Sequence, residues 1–257
     1  MKLSVVIPAH NEEGCIEGTI VNLHKELSAA SIAHELLVIN DNSRDSTEEI
    51  LLRLQKTIPE LRYINNRPPN GFGFAVRCGL DNFSGDAVAV YMADASDNPK
   101  DLVKFFKTME QENVDCVFGD RWTNNSLVTE YPRGKLLLNR LVNFFIRIIF
   151  GLRYSDVTNA FKLYKRQVIV GVQPFLSHHF NLTVEIPLKA IIRGYSFTIV
   201  SNDWIGRKAG ISKLKLKEMG SRYLFIILYC LIEKLFSMGD YKQVKQHQGS
   251  TLIPNKA

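Results

Sequence analysis

Short apolar runs alternate with longer amphipathic stretches through the first half of the chain. Residues 3–7 form a β-branched run bounded by Pro8, and similar runs recur at 35–39, 61–64, 87–92 and 114–118. Between them, residues 17–30, the STEEILLRLQ segment from Ser46, residues 71–82 and the PKDLVKFFKTMEQ segment from Pro99 carry helical spacing. Ser46 with Glu49 three residues on has the spacing of a capping box. Strands that alternate with helices predict βαβ units and a mostly parallel, Rossmann-like α/β sheet covered by helices on both faces. Ligands of such sheets bind beyond the carboxyl ends of the strands. The polar clusters there, PAHNEE, NDNSRD, ADASDNP and GDRW, are therefore where function is expected.

The second half follows a different pattern. Residues 136–152 are apolar except for Asn139, Asn143 and Arg147, whose spacing of four puts them on one helix face, with Arg140 beside them. Residues 223–232 form a second apolar helix, about half the ~20 residues that a membrane span needs. Residues 205–222, between them, hold Arg207, Lys208, Lys213, Lys215, Lys217 and Arg222 against Glu218 alone. Basic sequence beside amphipathic helices predicts a peripheral segment lying on an anionic bilayer. Two core helices with solvated lysines would give the same pattern. Domain boundaries follow: a catalytic unit over 1–205, a basic and apolar interfacial segment over 206–241, and a polar tail over 242–257.

Composition narrows the partners. The 257 residues are 46% hydrophobic and 23% charged, ordinary globular usage, which excludes disordered and collagenous classes. The four cysteines form no CxxC pair, so a zinc ribbon or a disulfide scaffold is not expected. The apolar run at the N-terminus is too short for a signal peptide, and a cytoplasmic setting is expected. A net charge of +6 favours anionic partners. Nucleic acid is excluded because the basic residues cluster beside apolar helices without a nucleic-acid-binding motif.

The candidate chemistry is carboxylate-rich. Asp41 follows the second strand, where Asp and Asn serve equally as ligands to a base or ribose and as turn and capping residues. Asp94, Ser96 and Asp97 follow the fourth strand and offer hard oxygens to Mg²⁺ or Mn²⁺. Asp94 is taken as the ligand, and Asp97 as a cap or a group supporting the metal site, with Asn98 the other candidate cap of the helix begun at Pro99. His178 and His179 are adjacent, so they point apart and do not make a metal pair. The GFGFA stretch lacks the third glycine of a dinucleotide fingerprint, and Gly73 is expected to permit close packing or approach to a donor.

The blocks SVVIPAHNEE, INDNSRDST, NGFGFAVRCGL, MADASDNP, GDR, DVTNAFKLYKR and RKAGISKL occur in this order over residues 3–240. In them the chain resembles the family 2 glycosyltransferases of the GT-A fold, near the dolichyl- and polyprenyl-phosphate sugar synthases (the dolichol-phosphate mannosyltransferase branch). The resemblance implies that Pro8, His10 and Glu12 line the nucleotide base and ribose, with Ile39 and Asp41 as the base-contacting pair. It places Met92, Ala93 and Asp94 in the metal and sugar-nucleotide motif and Ser96 where a metal-binding Gln stands. Arg121, Arg207 and Lys213 match cations around the diphosphate and the acceptor phosphate. Asp156 and Thr158 border the acceptor side, though turn chemistry explains them equally well, and Glu185 matches a helix Glu facing the cleft or, equally, serves in a buried salt bridge. Arg133, after Pro132, is also placed to meet phosphate. Two departures stand out: Met92 replaces the first Asp of the metal motif, and Ser96 the Gln.

The acceptor can be read from a missing group. A sugar hydroxyl needs a general base within reach. The Glu-Asp pair and the QxxRW motif of polysaccharide-extending relatives are both absent from this sequence. A phosphate acceptor is already anionic and needs cations instead. The expected activity is inverting, metal-dependent transfer of a hexose from a UDP- or GDP-sugar to a polyprenyl or dolichyl phosphate at the cytoplasmic membrane surface. Transfer to a hydroxyl of a lipid or glycan is the alternative, and a non-catalytic sugar-nucleotide-binding module a further one.

Overall fold

The computed structural model describes residues 1–206 and 216–243. Its centre is a seven-stranded sheet of β1 (Leu3–Ala9), β2 (His34–Asn40), β3 (Leu61–Asn65), β4 (Ala87–Val90), β5 (Cys116–Asp120), β7 (Lys162–Lys165) and β8 (Phe197–Ser201). The spatial order is β3-β2-β1-β4-β7-β5-β8. All neighbours run parallel except β7, which is antiparallel to both β4 and β5. A small parallel pair, β6 (Val128–Thr129) with β9 (Trp204–Ile205), lies apart from it.

Period-two alternation sorts the strand side chains onto two cores. Leu3, Val5 and Ile7 face α1 (Ile16–Ala29), α2 (Thr47–Leu54) and α4 (Pro99–Glu112). Val6, Leu37, Ile39 and Phe118 face the other layer: α3 (Phe72–Asn82), α5 (Arg133–Phe150), α6 (Arg166–Gly171), α7 (Leu182–Ile192) and α8 (Leu216–Phe236). Burial on both faces explains why the strands read as continuous apolar runs. β1 continues through Pro8 to Ala9, past the expected end. Its pairing with β4 stops at Val6, so Pro8 meets only Ile39 of β2 and its missing N–H leaves no gap in a second ladder.

One capping expectation is corrected and one is met. Ser46 makes no side-chain cap bond. Asp45 does that work: Oδ1 accepts from the Thr47 N–H at 3.1 Å and the Thr47 hydroxyl at 2.6 Å, while the Ser46 N–H is taken by Glu13 at 2.9 Å. At α4 the cap is Asn98, which accepts from the Lys100 N–H at 3.1 Å, and Asp97 is left for another role.

The helix over α5 is inverted. Two members of its polar stripe point inward: Asn139 and Asn143 donate to the Thr158 hydroxyl at 2.8 and 2.9 Å, and the Thr158 N–H returns a bond to Asn143 at 3.2 Å, while the third, Arg147, is exposed. Leu137, Leu141, Phe144, Phe145 and Ile148 stand in solvent. On α8, Ile226, Ile227 and Cys230 are buried against the sheet layer, and Leu224, Phe225, Leu228, Ile232 and Leu235 are exposed. Lys234 ties the two helices by donating to the Phe150 carbonyl at 2.9 Å. No described helix is long and apolar enough to cross a membrane.

Helix α3 sits unusually close to its neighbours. A Cβ on Gly79 would lie 2.2 Å from Cγ1 of Val6 in β1. One on Gly73 would strike the His178 backbone at 2.3 Å, so that glycine admits the 178–179 loop, whereas packing on the sheet or approach to a donor was expected. Gly79→Ala should gain about 1 kcal/mol of helix propensity and lose about 1–3 kcal/mol to overpacking. The expected result is a Tm lowered by a few degrees in a thermal melt.

Candidate active site

The loops after β1, β2, β3, β4 and β5 gather at one end of the sheet. The strand order reverses between β1 and β4, which opens a crevice between the loops that follow them. On the β1 side, His10 Nδ1 lies 2.6 Å from the Asp41 carbonyl, and the Glu12 N–H donates to Thr47 at 2.9 Å. These contacts hold His10 and Glu12 against the β2 loop, with Pro8 half-buried at the strand end. Ile39 is different. Its side chain is fully buried in the core and offers no surface to a base, which corrects its expected contact role.

Asp41 organises the turn after β3. Its carboxylate accepts from Asn66 at 2.7 Å, Asn70 at 2.9 Å and the Gly71 N–H at 2.7 Å. A carboxylate has about four acceptor positions, so one remains for a ligand. Gly71 has φ 134°, a backbone state that favours glycine, and from it α3 begins. Sequence reading passed over Asn66 and Asn70. The signal was the polar, proline-containing stretch between β3 and α3.

The β4 loop carries the acidic group. Met92 is half-buried, Ala93 is buried with its carbonyl accepting from Thr19 at 3.0 Å, and Asp94, Ser96 and Asp97 are all below 10% exposed. Asp94 Oδ1 accepts the Ser96 N–H at 3.2 Å across Ala95, which has φ 58°. The Ser96 carbonyl accepts from Ile205 at 3.0 Å, and Asp97 bridges Trp204, so β9 is tied to this loop. Burial pushes the Asp97 carboxyl up to about 7, the neighbouring Asp94 charge adding to it and Arg121 opposing. Among the described residues, no group of three His, Cys, Asp or Glu could hold a metal alone. The hard oxygens on this loop fit Mg²⁺ or Mn²⁺ if substrate phosphates complete the coordination.

Beyond β5, Arg121 is clasped. Its Nε and Nη2 donate to Asp156 at 2.8 and 2.9 Å, and its backbone N–H to the same carboxylate at 3.1 Å. Burial opposes the guanidinium charge, but the charge and hydrogen bonds of Asp156 outweigh it and raise the Arg121 pKa. Trp122 and Tyr131 face the guanidinium at 5.4 and 5.8 Å, and Trp204 packs on Tyr131. Sequence reading missed this aromatic group, whose members are scattered along the chain. Asp156 is 0% exposed, so its expected place against an acceptor is corrected: it holds Arg121. Thr158 is likewise spent on anchoring α5. Lys162 underlies both, donating to the carbonyls of Val157, Asn159 and Thr183, and burial pulls its ammonium down to about 7.

Glu185 lies fully buried away from the crevice. It accepts from the Leu176 and Ser177 N–H groups at 2.8 and 2.7 Å and from Lys189 at 2.6 Å. Arg133 opens α5. Arg207 and Lys213 lie outside the described residues.

Residues 4–171 match the sequence pattern described as Glycosyl transferase family 2. The chain belongs to this family. It is a glycosyltransferase with the GT-A fold. A relative, polyprenol monophosphomannose synthase of Mycolicibacterium smegmatis, is 26% identical over 216 residues, covering 82% of this chain and 80% of that one. Glycosyltransferase AglD of Haloferax volcanii is 24% identical over 231 residues, or 87% of this chain and only 36% of AglD. Among solved structures, glucosyl-3-phosphoglycerate synthase of Mycobacterium tuberculosis, complexed with Mn²⁺, UDP-glucose and phosphoglyceric acid, superposes with a TM-score of 0.64 at 20% identity. The match covers 91% of this glycosyltransferase and 79% of that chain and shows a shared fold.

Cutting one side of a buried ion pair strands the other charge, at about 3–5 kcal/mol. Asp156→Ala should therefore lower the Tm by about 10 °C or more in a calorimetric scan. An exposed-pair change such as Glu17→Ala should shift it by no more than about 2 °C.

Proposed function

We propose that this glycosyltransferase moves a hexose from a UDP- or GDP-sugar to a polyprenyl or dolichyl phosphate, with inversion, at the anionic cytoplasmic surface of a membrane. The observation that carries the reading is the pair of exposed apolar rows on α5 and α8, joined through Lys234. Apolar surface on this scale marks a binding face, and an isoprenoid acceptor embedded in a bilayer would have to be met there. The similarity to a polyprenol monophosphomannose synthase supports the acceptor class. The UDP-glucose and Mn²⁺ complex of the glucosyl-3-phosphoglycerate synthase supports the donor and cation.

The chemistry follows from charge. An acceptor phosphate oxygen attacks the anomeric carbon, the bond from that carbon to the donor diphosphate breaks, and the nucleoside diphosphate leaves with the electron pair. Asp94 and Ser96 would hold Mg²⁺ or Mn²⁺, a cation that would supply neutralisation of the charge on the leaving diphosphate. His10, Glu12 and Asp41 position the nucleoside along the β1 and β2 loops. Arg121 is fixed by Asp156 and contributes field without swinging toward the substrate. Arg133, Arg207 and Lys213 supply cations for the acceptor phosphate, which needs no general base.

Asp94→Asn should reduce transfer at least 1,000-fold while the Tm stays within about 2 °C, read by radiolabelled sugar entering a mild-acid-labile lipid. Label that enters only an acid-stable glycoside would instead establish the hydroxyl acceptor. Burying a Phe side chain contributes about 1.5–3 kcal/mol. Phe144→Glu with Phe145→Glu should therefore weaken co-flotation with phosphatidylglycerol liposomes at least about tenfold, with no loss of fold.

A further inference from the structure

The turn after β4 holds a second carboxylate, one oxygen of which has no structural partner. Asp97 is not the cap of α4, since Asn98 fills that position. It accepts a hydrogen bond from the Met92 N–H, and Oδ2 is shut off from solvent without any hydrogen-bond partner. Buried carboxylate oxygens are strongly disfavoured in that state, and an orphan of this kind calls for a partner.

Its backbone is firmly held. The Tyr91 hydroxyl donates to the Asp97 carbonyl, Asp97 bridges Trp204, and the next residue caps a helix. The side chain is thus presented from a rigid loop, three residues from Asp94 and in its electrostatic range. Position 92, where the family resemblance implies the first acidic ligand, holds a thioether, a poor donor for a hard cation. One charge is missing from the usual place and one surplus charge is buried in the same turn.

We propose that Asp97 replaces the acidic group absent at Met92, its Oδ2 joining Asp94 on the divalent cation when the nucleoside diphosphate is bound. This rests on the metal-dependent reading above. A purely architectural Asp97 would hold Met92 and leave metal affinity alone.

The test is direct Mn²⁺ binding, followed by electron paramagnetic resonance on the full-length protein with saturating UDP or GDP. Asp97→Asn keeps the shape and an acceptor for the Met92 N–H. It should weaken Mn²⁺ at least about tenfold, the low end of what loss of a mere supporting partner costs, while the metal-free Tm is unchanged or higher. Adding Met92→Asp to that variant should restore affinity to within a few-fold of wild type. Unchanged affinity in Asp97→Asn overturns the role of Asp97 and leaves the metal-dependent reading standing. Wild-type protein that binds no Mn²⁺ with either nucleotide overturns both. A measurement free of variants covers a folding failure: pulsed resonance on ¹³C-aspartate-labelled wild type should show two carboxylate couplings to Mn²⁺, and a single coupling overturns the proposal.

Discussion

The Arg121–Asp156 pair is the interaction on which the functional end of the molecule depends. It joins the loop after β5 to the segment leading into β7, two strands that are neighbours in the sheet but lie far apart in sequence. Both partners are buried, and two guanidinium bonds to one carboxylate fix the guanidinium in one plane while the Arg121 backbone N–H adds a third bond. From that anchor, Lys162 gathers the carbonyls on the far side, Thr158 receives α5, and Trp122 and Tyr131 close over the guanidinium. An ion pair of this sort contributes little net stability relative to an apolar replacement. Its value is geometric, because it sets where the loop after β5 stands relative to the segment leading into β7.

The two sides of the crevice are built on different principles. The side formed by the β1, β2 and β3 ends is a web of loop-to-loop hydrogen bonds in which Asp41, His10 and Asn11 hold three successive strand ends together. The β5 side is an arrangement of buried charges and aromatic rings, and the helix anchored there, α5, carries an exposed apolar row. The first suits a polar nucleotide, whose contacts are directional. The second suits a molecule with one charged end and a long apolar body.

Much of the fold was legible because strand burial is written locally. Apolar side chains predominate in residues 3–7, 35–39, 61–64 and 87–92, broken only by Ser4, Glu35 and Arg62, and a two-sided sheet leaves little else for them to be. β7 was not legible as a central strand: KLYK contains two lysines, and only the buried carbonyls around Lys162 show why one of them is inside. The candidate site was legible as residue types at strand ends. It was not legible as a division of labour, since a carboxylate that binds a ligand and one that clasps an arginine read identically. Asp156 and Asp94 differ only in what the fold brings beside them. Asp97 read equally as a cap or as a group supporting the metal site, with Asn98 the other candidate cap, and Asn98, directly before Pro99, holds the cap position.

The position of β7 has a consequence for how the chain is made. β5 is separated from β4 by a strand that lies more than forty residues downstream of it. While the polypeptide emerges from the ribosome, β3, β2, β1 and β4 can assemble in order from local, parallel units. β5 must then wait, its polar backbone edge unpaired, until residues 162–165 arrive to be inserted between the two halves. Long-range pairing of this kind is slow and leaves strand edges open to other chains. The interval between synthesis of β5 and synthesis of β7 is thus the stage at which a nascent molecule has most need of a chaperone.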